Sequence, residues 1–317
     1  RKDISVRALP ASAKIREVVG AFLDRAGSPG AALGGKKPDA GAELLAGMLT
    51  PASRTLSGKR LIIVPDGPLH HLPFEALSRK GRLLIEDHEI TVVPSATALL
   101  LMRGRPRSPI TDSFLGIGDP LPGDAAMPVL PYSPVELERI AGHFPELSRT
   151  ILTGKGVSRA SLKSLDIGKY GYVHFATHGL FRAGDRQTGL WLGAATRDAS
   201  DSILTLPDVL TLRMNAGLVV LSACQSGLGE LIDGEGLVSL TRAFLYAGSR
   251  SVVVALWNVS DISTVDFMEV FYNHLRSGES PATALREAKL SFIRSDRPAR
   301  REPYRWAPFI LVGTRSR

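Results

Sequence analysis

The chain has 317 residues, 44% hydrophobic and 22% charged, with a formal net charge of +8 and a single cysteine. That length buries a large core in one big domain or two smaller ones, and no apolar stretch reaches the roughly 18 residues of a membrane helix. One thiol rules out an internal disulfide and cannot build a zinc site by itself, which suits a reducing compartment, most simply the cytoplasm.

The first ten residues, "RKDISVRALP", are too polar for a secretory signal. The missing initial Met suggests a fragment of something longer. Residues 13–26 carry apolar positions at helical spacing, a Gly/Pro-rich loop covers 28–41, and 42–49 reads as a second helix. "RLIIVPDG" (60–67) is a branched apolar run stopped by Pro-Asp-Gly, the mark of a buried strand. Residues 88–102 read as a strand, a break at Pro94 and a helix capped by Ser95 or Thr97. A connector (103–112), a strand (113–120) and a Pro/Gly-rich loop lead to a helix over 133–144, with Ser133 as N-cap and Pro134 just inside it. Another helix starts at 158–165. Four stronger strands follow at 172–178, 218–224, 251–257 and 308–313, separated by helices at 236–248, 264–278 and 280–295. Short apolar strands alternating with amphipathic helices predict an α/β fold with a mostly parallel central sheet flanked by helices.

In such sheets ligands bind beyond the carboxyl ends of the strands. "VHFATHGLF" (173–181) and "LVVLSACQSGLGE" (218–230) deliver His178 and Cys224 to those ends. If the two strands are neighbours, both side chains project at one edge. An imidazole beside a thiol takes its proton or stabilises the thiolate. The backbone N–H groups of Gly179 and Cys224 offer donors for an oxyanion, and Gly227 and Gly229 let a substrate backbone come close. A lone cysteine at a strand end is ordinarily a small hydrophobe, so the paired pattern carries the reading. His178 and Cys224 are 46 residues apart. The caspase signature places its histidine about 50 residues before a Q-A-C-[RQG]-G motif, to which "SACQSG" is close without being identical.

Several further blocks stand in order along the chain: "GKRLIIVPDGPLHHLPFEAL" (58–77), "HFATHG" (174–179), "GEGLVSLTRAFLYAGSRSVVVALWNVSD" (234–261) and "WAPFILVG" (306–313). With them the chain resembles a CHAT domain, a caspase-like module often fused to tetratricopeptide repeats. CHAT domains belong to the caspase, separase and gingipain clan of cysteine peptidases. The resemblance implies a caspase-like three-layer sandwich, with an N-terminal non-catalytic half (1–150) and a catalytic half (151–317). It implies His178 as the catalytic histidine, Cys224 as the nucleophile, and the N–H groups of Gly179 and Cys224 as the oxyanion hole. His174 is expected to pack beside the sheet.

Specificity is less legible. Caspases carry Gln two residues before the nucleophile and metacaspases carry Asp; here the position is Ser222, small and neutral. Asp233 and Glu235 offer negative charge to a substrate pocket, or form a solvated turn and an acidic helix start. Trp257 offers a groove wall or a core contact. A neutral or apolar residue before the scissile bond is the expectation.

Other classes fall away. There is no phosphate loop and no G-x-S-x-G elbow, and "GIGDPLPG" lacks the third glycine of a dinucleotide fingerprint. His70 and His71, adjacent on a segment read as extended, point oppositely, with no carboxylate or thiol beside them. A structural turn is expected there, with no metal and no cofactor. The basic clusters at 103–107 and 294–306 are scattered and carry no reading motif, so nucleic acid is not the expected partner, nor is a membrane. The combined expectation is a cysteine endopeptidase acting on a protein or peptide substrate. It would be the effector part of a longer signalling or defence protein, gated by an N-terminal repeat or sensor region or by a partner protein. The rival expectation is a catalytically inactive caspase-like interaction scaffold.

Overall fold

The branched apolar runs of the sequence form the strands of one central sheet, and the amphipathic segments cover it. The computed structural model describes residues 8–31, 33, 47–48, 60–79, 81–105, 108–120, 129–180, 188–193, 202–222, 224–225 and 235–314. Only the backbone is described for Arg79, Cys224, Gln225, Glu235 and Asp261. The expected helix at 42–49 lies largely outside these residues.

The strands are β1 (Leu61–Ile63), β2 (Ser78–Arg79), β3 (Arg82–Leu83), β4 (Ile90–Val92), β5 (Phe114–Pro120), β6 (Arg149–Gly154) and β7 (Tyr172–Ala176). They continue with β8 (His178–Leu180), β9 (Gly189–Trp191), β10 (Ile203–Thr205), β11 (Leu218–Leu221), β12 (Cys224–Gln225), β13 (Ser251–Ala255) and β14 (Phe309–Gly313). The longer helices are α1 (Ser12–Ala26), α2 (Ala96–Gly104), α3 (Ser133–Ala141), α4 (Glu235–Ala247), α5 (Asp261–Arg276) and α6 (Pro281–Ile293).

Eight strands make the main sheet in the order β1-β4-β14-β13-β11-β7-β5-β6. Every pairing in it is parallel except β13 with β14. The sheet therefore changes direction once. β13, β11, β7, β5 and β6 run one way, and β14, β4 and β1 run the other. A four-stranded sheet, β10-β9-β8-β12, stands apart from it, and β2 and β3 form a small hairpin.

Helices lie on both faces, which makes three layers. On one face α3 packs against β5 and α5, and α5 against α6. On the other, α4 covers the sheet, with Phe244 tilted against Phe175 of β7. Caps behave as short polar side chains require: Ser95 Oγ accepts from Ala98 N at 3.0 Å and so starts α2. Ser133 departs from expectation. It is the first residue of α3, after Tyr132, and does not cap the helix. Its hydroxyl instead donates to Ala176 O (2.6 Å) and accepts from Asp119 N (2.8 Å), joining the carboxyl ends of β5 and β7. That close approach needs Gly118, where a Cβ would stand 2.4 Å from Ser133 Oγ.

Two buried charges tie the N-terminal segment to α6. Lys289 is fully buried, and its ammonium lies 3.3 Å from the carboxylate of Glu75. Burial, opposed by Glu75, lowers the Lys289 pKa. Removing one partner strands the other charge in a dry interior. Glu75→Gln is expected to cost about 3–5 kcal/mol in urea unfolding. The double variant Glu75→Leu/Lys289→Met should recover most of that loss, since apolar replacements of similar volume leave no orphan.

Candidate functional site

The strands that were read as running to His178 and to Cys224 both stop short of them. β7 ends at Ala176 and β11 at Leu221. Beyond these ends, Thr177 and Ser222 intervene, both buried. Thr177 Oγ1 donates to Trp191 O of β9 and so turns the chain away from the main sheet. His178 then opens β8 and Cys224 opens β12, and these two pair in parallel, with Cys224 opposite His178 and Gln225 opposite Gly179. Neighbouring strands lie roughly 4.8 Å apart, so the two backbones run side by side there. Gly179 stands between Gln225 on one side and Leu190 of β9 on the other.

The histidine is enclosed: His178 is 3% exposed. Ser222, 8% exposed, lies between β11 and β12, and among the described residues its buried Oγ has no hydrogen-bond partner. Glu235 is the first residue of α4. Asp233 lies outside the described residues. Trp257 follows β13, where its indole N–H donates to Tyr304 O at 3.1 Å and its ring packs against Gly27 at the end of α1. Those contacts brace it between two ends of the chain. His70 and His71 sit on a 3-10 turn, Gly67–His71, and not on the extended segment the sequence suggested. The local sequence Gly-Pro explains the difference, since Pro at the start presets a helical φ. Among the described residues no group of three or more His, Cys, Asp and Glu is placed to hold a metal ion. No helix there is long and apolar enough to cross a membrane.

Sequence reasoning missed a buried network beside this site. His174 is fully buried on β7, with Nε2 2.8 Å from Glu136 Oε1 of α3 and Nδ1 3.1 Å from the Tyr272 hydroxyl of α5. Burial first, then the Glu136 charge, pushes the Tyr272 hydroxyl pKa well up, so it stays protonated. The network rivets β7 to two helices four residues before His178. Helical spacing marks Glu136 and Tyr272 only as members of α3 and α5, so the sequence carries no signal for the contact. Asp119, just past Gly118, has φ of 47°. It is the only non-glycine with positive φ among the described residues, and burial raises its carboxyl pKa.

The chain matches the CHAT domain over residues 39–314. It belongs to the CHAT domain family. Mouse tetratricopeptide repeat protein 28 is 41% identical over 112 residues, covering 35% of this chain and 4% of that protein. The human protein of that name is 29% identical over 299 residues, covering 81% of this chain and 12% of its own length. This CHAT domain thus spans a small part of the relatives it matches. In fold it is similar to separase in the Saccharomyces cerevisiae separase–securin complex, with TM-score 0.51, 17% identity and coverage of 80% of this chain and 16% of that one. It is also similar to the Porphyromonas gingivalis RgpB pro- and mature-domain complex, with TM-score 0.50, 10% identity and coverage of 96% and 77%. The CHAT domain is therefore caspase-like: a mixed α/β sandwich around a mostly parallel sheet.

The frame of the small sheet is held by Asp208. Thr205 donates to Oδ2 from its hydroxyl (2.6 Å) and its backbone (3.1 Å), and Arg159 and Lys163 reach Oδ1 at 2.6 and 3.2 Å. Burial raises the carboxyl pKa, but the bonds from Thr205 and Arg159 outweigh it and hold the group below the ordinary carboxylate value. A depressed folded pKa gives stability that is complete above the unfolded value and lost as pH falls through the folded one. Asp208→Asn is expected to lose about 1–3 kcal/mol at pH 7. Denaturant titrations should show the gap to the parent closing below about pH 4.

Proposed function

We propose that this CHAT domain is a cysteine endopeptidase acting through His178 and Cys224. The observation that supports the reading is the in-register pairing of these two residues on β8 and β12, beyond the ends of β7 and β11. His178 takes the Cys224 proton, and the thiolate attacks a peptide carbonyl. The N–H groups of Gly179 and Cys224 hold the oxyanion. The imidazolium then protonates the leaving amine, and water attacks the acyl-enzyme to release the acid and regenerate the thiol. Ser222 lines the first specificity pocket, where an unpaired neutral hydroxyl suits an uncharged side chain. In the same reading Asp233 and Glu235, from the following segment, offer negative charge to that pocket, and Trp257 walls the groove beyond β13. Residues 151–317 carry the reacting groups, while β1 and β4 from residues 1–150 extend the sheet at one edge and β5 lies just inside the other, beside β6, which crosses residue 150.

The enclosure of His178 supports gating. A substrate reaches an imidazole that is 3% exposed only after a rearrangement, which a repeat region, a sensor or a partner protein would drive. The names of the mammalian relatives agree with a repeat region. The same enclosure favours the rival, an inactive scaffold that keeps the fold.

A peptidyl acyloxymethyl ketone library separates the two. A peptidase gives a covalent adduct on Cys224 by mass spectrometry, and His178→Ala cuts its rate of formation at least ~100-fold. A scaffold gives no adduct even with its natural partner supplied. In the active form, Ser222→Asp is expected to shift cleavage toward Arg and Lys before the scissile bond, read from the same library.

A further inference from the structure

The basic stretch "RSDRPARREPYRW" (294–306) has no part in the proposed chemistry, and the structure sorts its arginines into two sets. After α6 the chain makes a 3-10 turn, Pro298–Arg301, and a short helix, Pro303–Trp306. Two arginines are used inward. Arg300 pairs with Asp266 of α5 at 2.8 Å and lies over the Phe292 ring, 5.0 Å from its centroid. Arg305 pairs with Glu302 and donates to Ser263 of α5. Arg294, Arg297 and Arg301 are exposed, and among the described residues their side chains make no ion pair or hydrogen bond.

The backbone that carries these three is fixed. Arg300 N donates to Arg297 O at 3.0 Å, Arg297 N to Ser295 Oγ at 3.2 Å, and the buried Trp306 indole to Arg301 O at 3.2 Å. A 3-10 turn rises about 2.0 Å per residue, so Arg297 and Arg301 stand roughly 8 Å apart along it. Asp296 is exposed among them, so the outward groups are three arginines against one aspartate.

The turn stands at the end of the sheet that holds the candidate site. β13, β11 and β7 run parallel. α5, which follows β13, therefore starts beyond the same carboxyl ends from which the chain runs on to Cys224 and His178. Arg300 and Arg305 tie the arginine turn to the first two turns of α5. Tyr304 O, in the short helix that follows, holds the Trp257 indole N–H at 3.1 Å.

We propose that Arg294, Arg297 and Arg301 form a docking surface for an acidic segment of a protein partner. A guanidinium pairs bidentately with a carboxylate. An extended peptide advances about 3.4 Å per residue, so three or four consecutive Asp or Glu residues span the turn. The patch is short against the charged stripe that tracks a phosphate backbone. Docking itself does not depend on the peptidase reading. Its use to gather protein substrates that carry an acidic stretch rests on that reading.

Fluorescence anisotropy on the intact protein tests the surface, with short peptides carrying four glutamates or four glutamines and a dye of zero net charge. The glutamate peptide is expected to bind saturably, and to weaken several-fold between about 0.05 and 0.3 M salt. The triple variant Arg294→Gln/Arg297→Gln/Arg301→Gln should raise its Kd at least ~10-fold. A second triple variant removes the same charge at exposed positions elsewhere, Arg103→Gln/Lys155→Gln/Arg213→Gln. It should hold the Kd within about twofold of the parent, and both variants should keep the parent's thermal midpoint. No binding of the glutamate peptide, equal binding of the glutamine peptide, or equal loss in the two variants would each overturn the proposal. So would an oligothymidylate of equal charge that binds more tightly through the same arginines. Adduct formation on Cys224 is read separately, so failure of this surface and failure of the peptidase reading are distinct results.

Discussion

Leu218 stands opposite Tyr172 at the start of β11, and Leu221 stands opposite Phe175 at its end. Three residues further along each chain, Cys224 stands opposite His178. The offset is the same at every step, although the two chains have meanwhile left one sheet and joined another. That register is a packing constraint before it is a chemical one. Leu218, Val219 and Val220 of β11 and Val173 and Phe175 of β7 are fully buried between two helical layers, so a one-residue slip would break close packing on both faces. The core thereby fixes which residue meets His178. The offset of 46 residues visible in the sequence is the register of the two central strands.

Departure from the main sheet needs polar residues that are satisfied elsewhere. Thr177 bonds to β9. The carbonyl of Ala176, the last residue of β7, accepts from Ser133, whose hydroxyl also receives Asp119 N. Below this point His174 is locked between Glu136 and Tyr272, where both ring nitrogens find partners in a dry core. The end of β7 is thus held from α3, α5 and β9 at once. Such fixed ends are what a site built on strand termini requires, because its geometry is only as good as the shell that holds it. The reversal at β13–β14 serves the other end of the sheet. It lets β4 and β1 extend the sheet past β14. Glu75 and Lys289 then close the seam between that segment and α6.

The strands rich in Val, Ile and Leu were legible because burial on both faces demands continuous apolar runs. β7, β11, β13 and β14 fall within the stretches read from the sequence, each trimmed by one to three residues. β6, "RTILTG", was not read. It is one of the sheet's two edge strands, half exposed, and its mixed composition has neither a buried run nor a clean alternation. β9 and β10 are three residues each, too short for any period to register. His178 and Cys224 were legible as endpoints, but their own small sheet was not. Its strands are set by Thr177 through Trp191 and by Asp208 through Arg159, contacts distant in sequence. Ser133 shows the same limit. Its place before Pro134 is a good cap signal, and a tertiary partner simply outbid the local one.

Fold alone does not choose between a peptidase and a scaffold, because one architecture hosts both. The register does bear on the choice. A scaffold needs β7 and β11 to pack, and that need ends at Ala176 and Leu221. Nothing in the packing of the main sheet requires a histidine and the chain's only cysteine to stand opposite each other in backbone register beyond those points. Enclosure of His178 then has a definite thermodynamic meaning. Under the proposed gating, a ligand or partner would have to bind the open form more tightly than the closed one, and it would shift the population only by that difference. The rivets on β7 limit where the movement occurs. His174, Glu136, Tyr272 and Ser133 hold the strand itself, so β7 is not where such a change would fall.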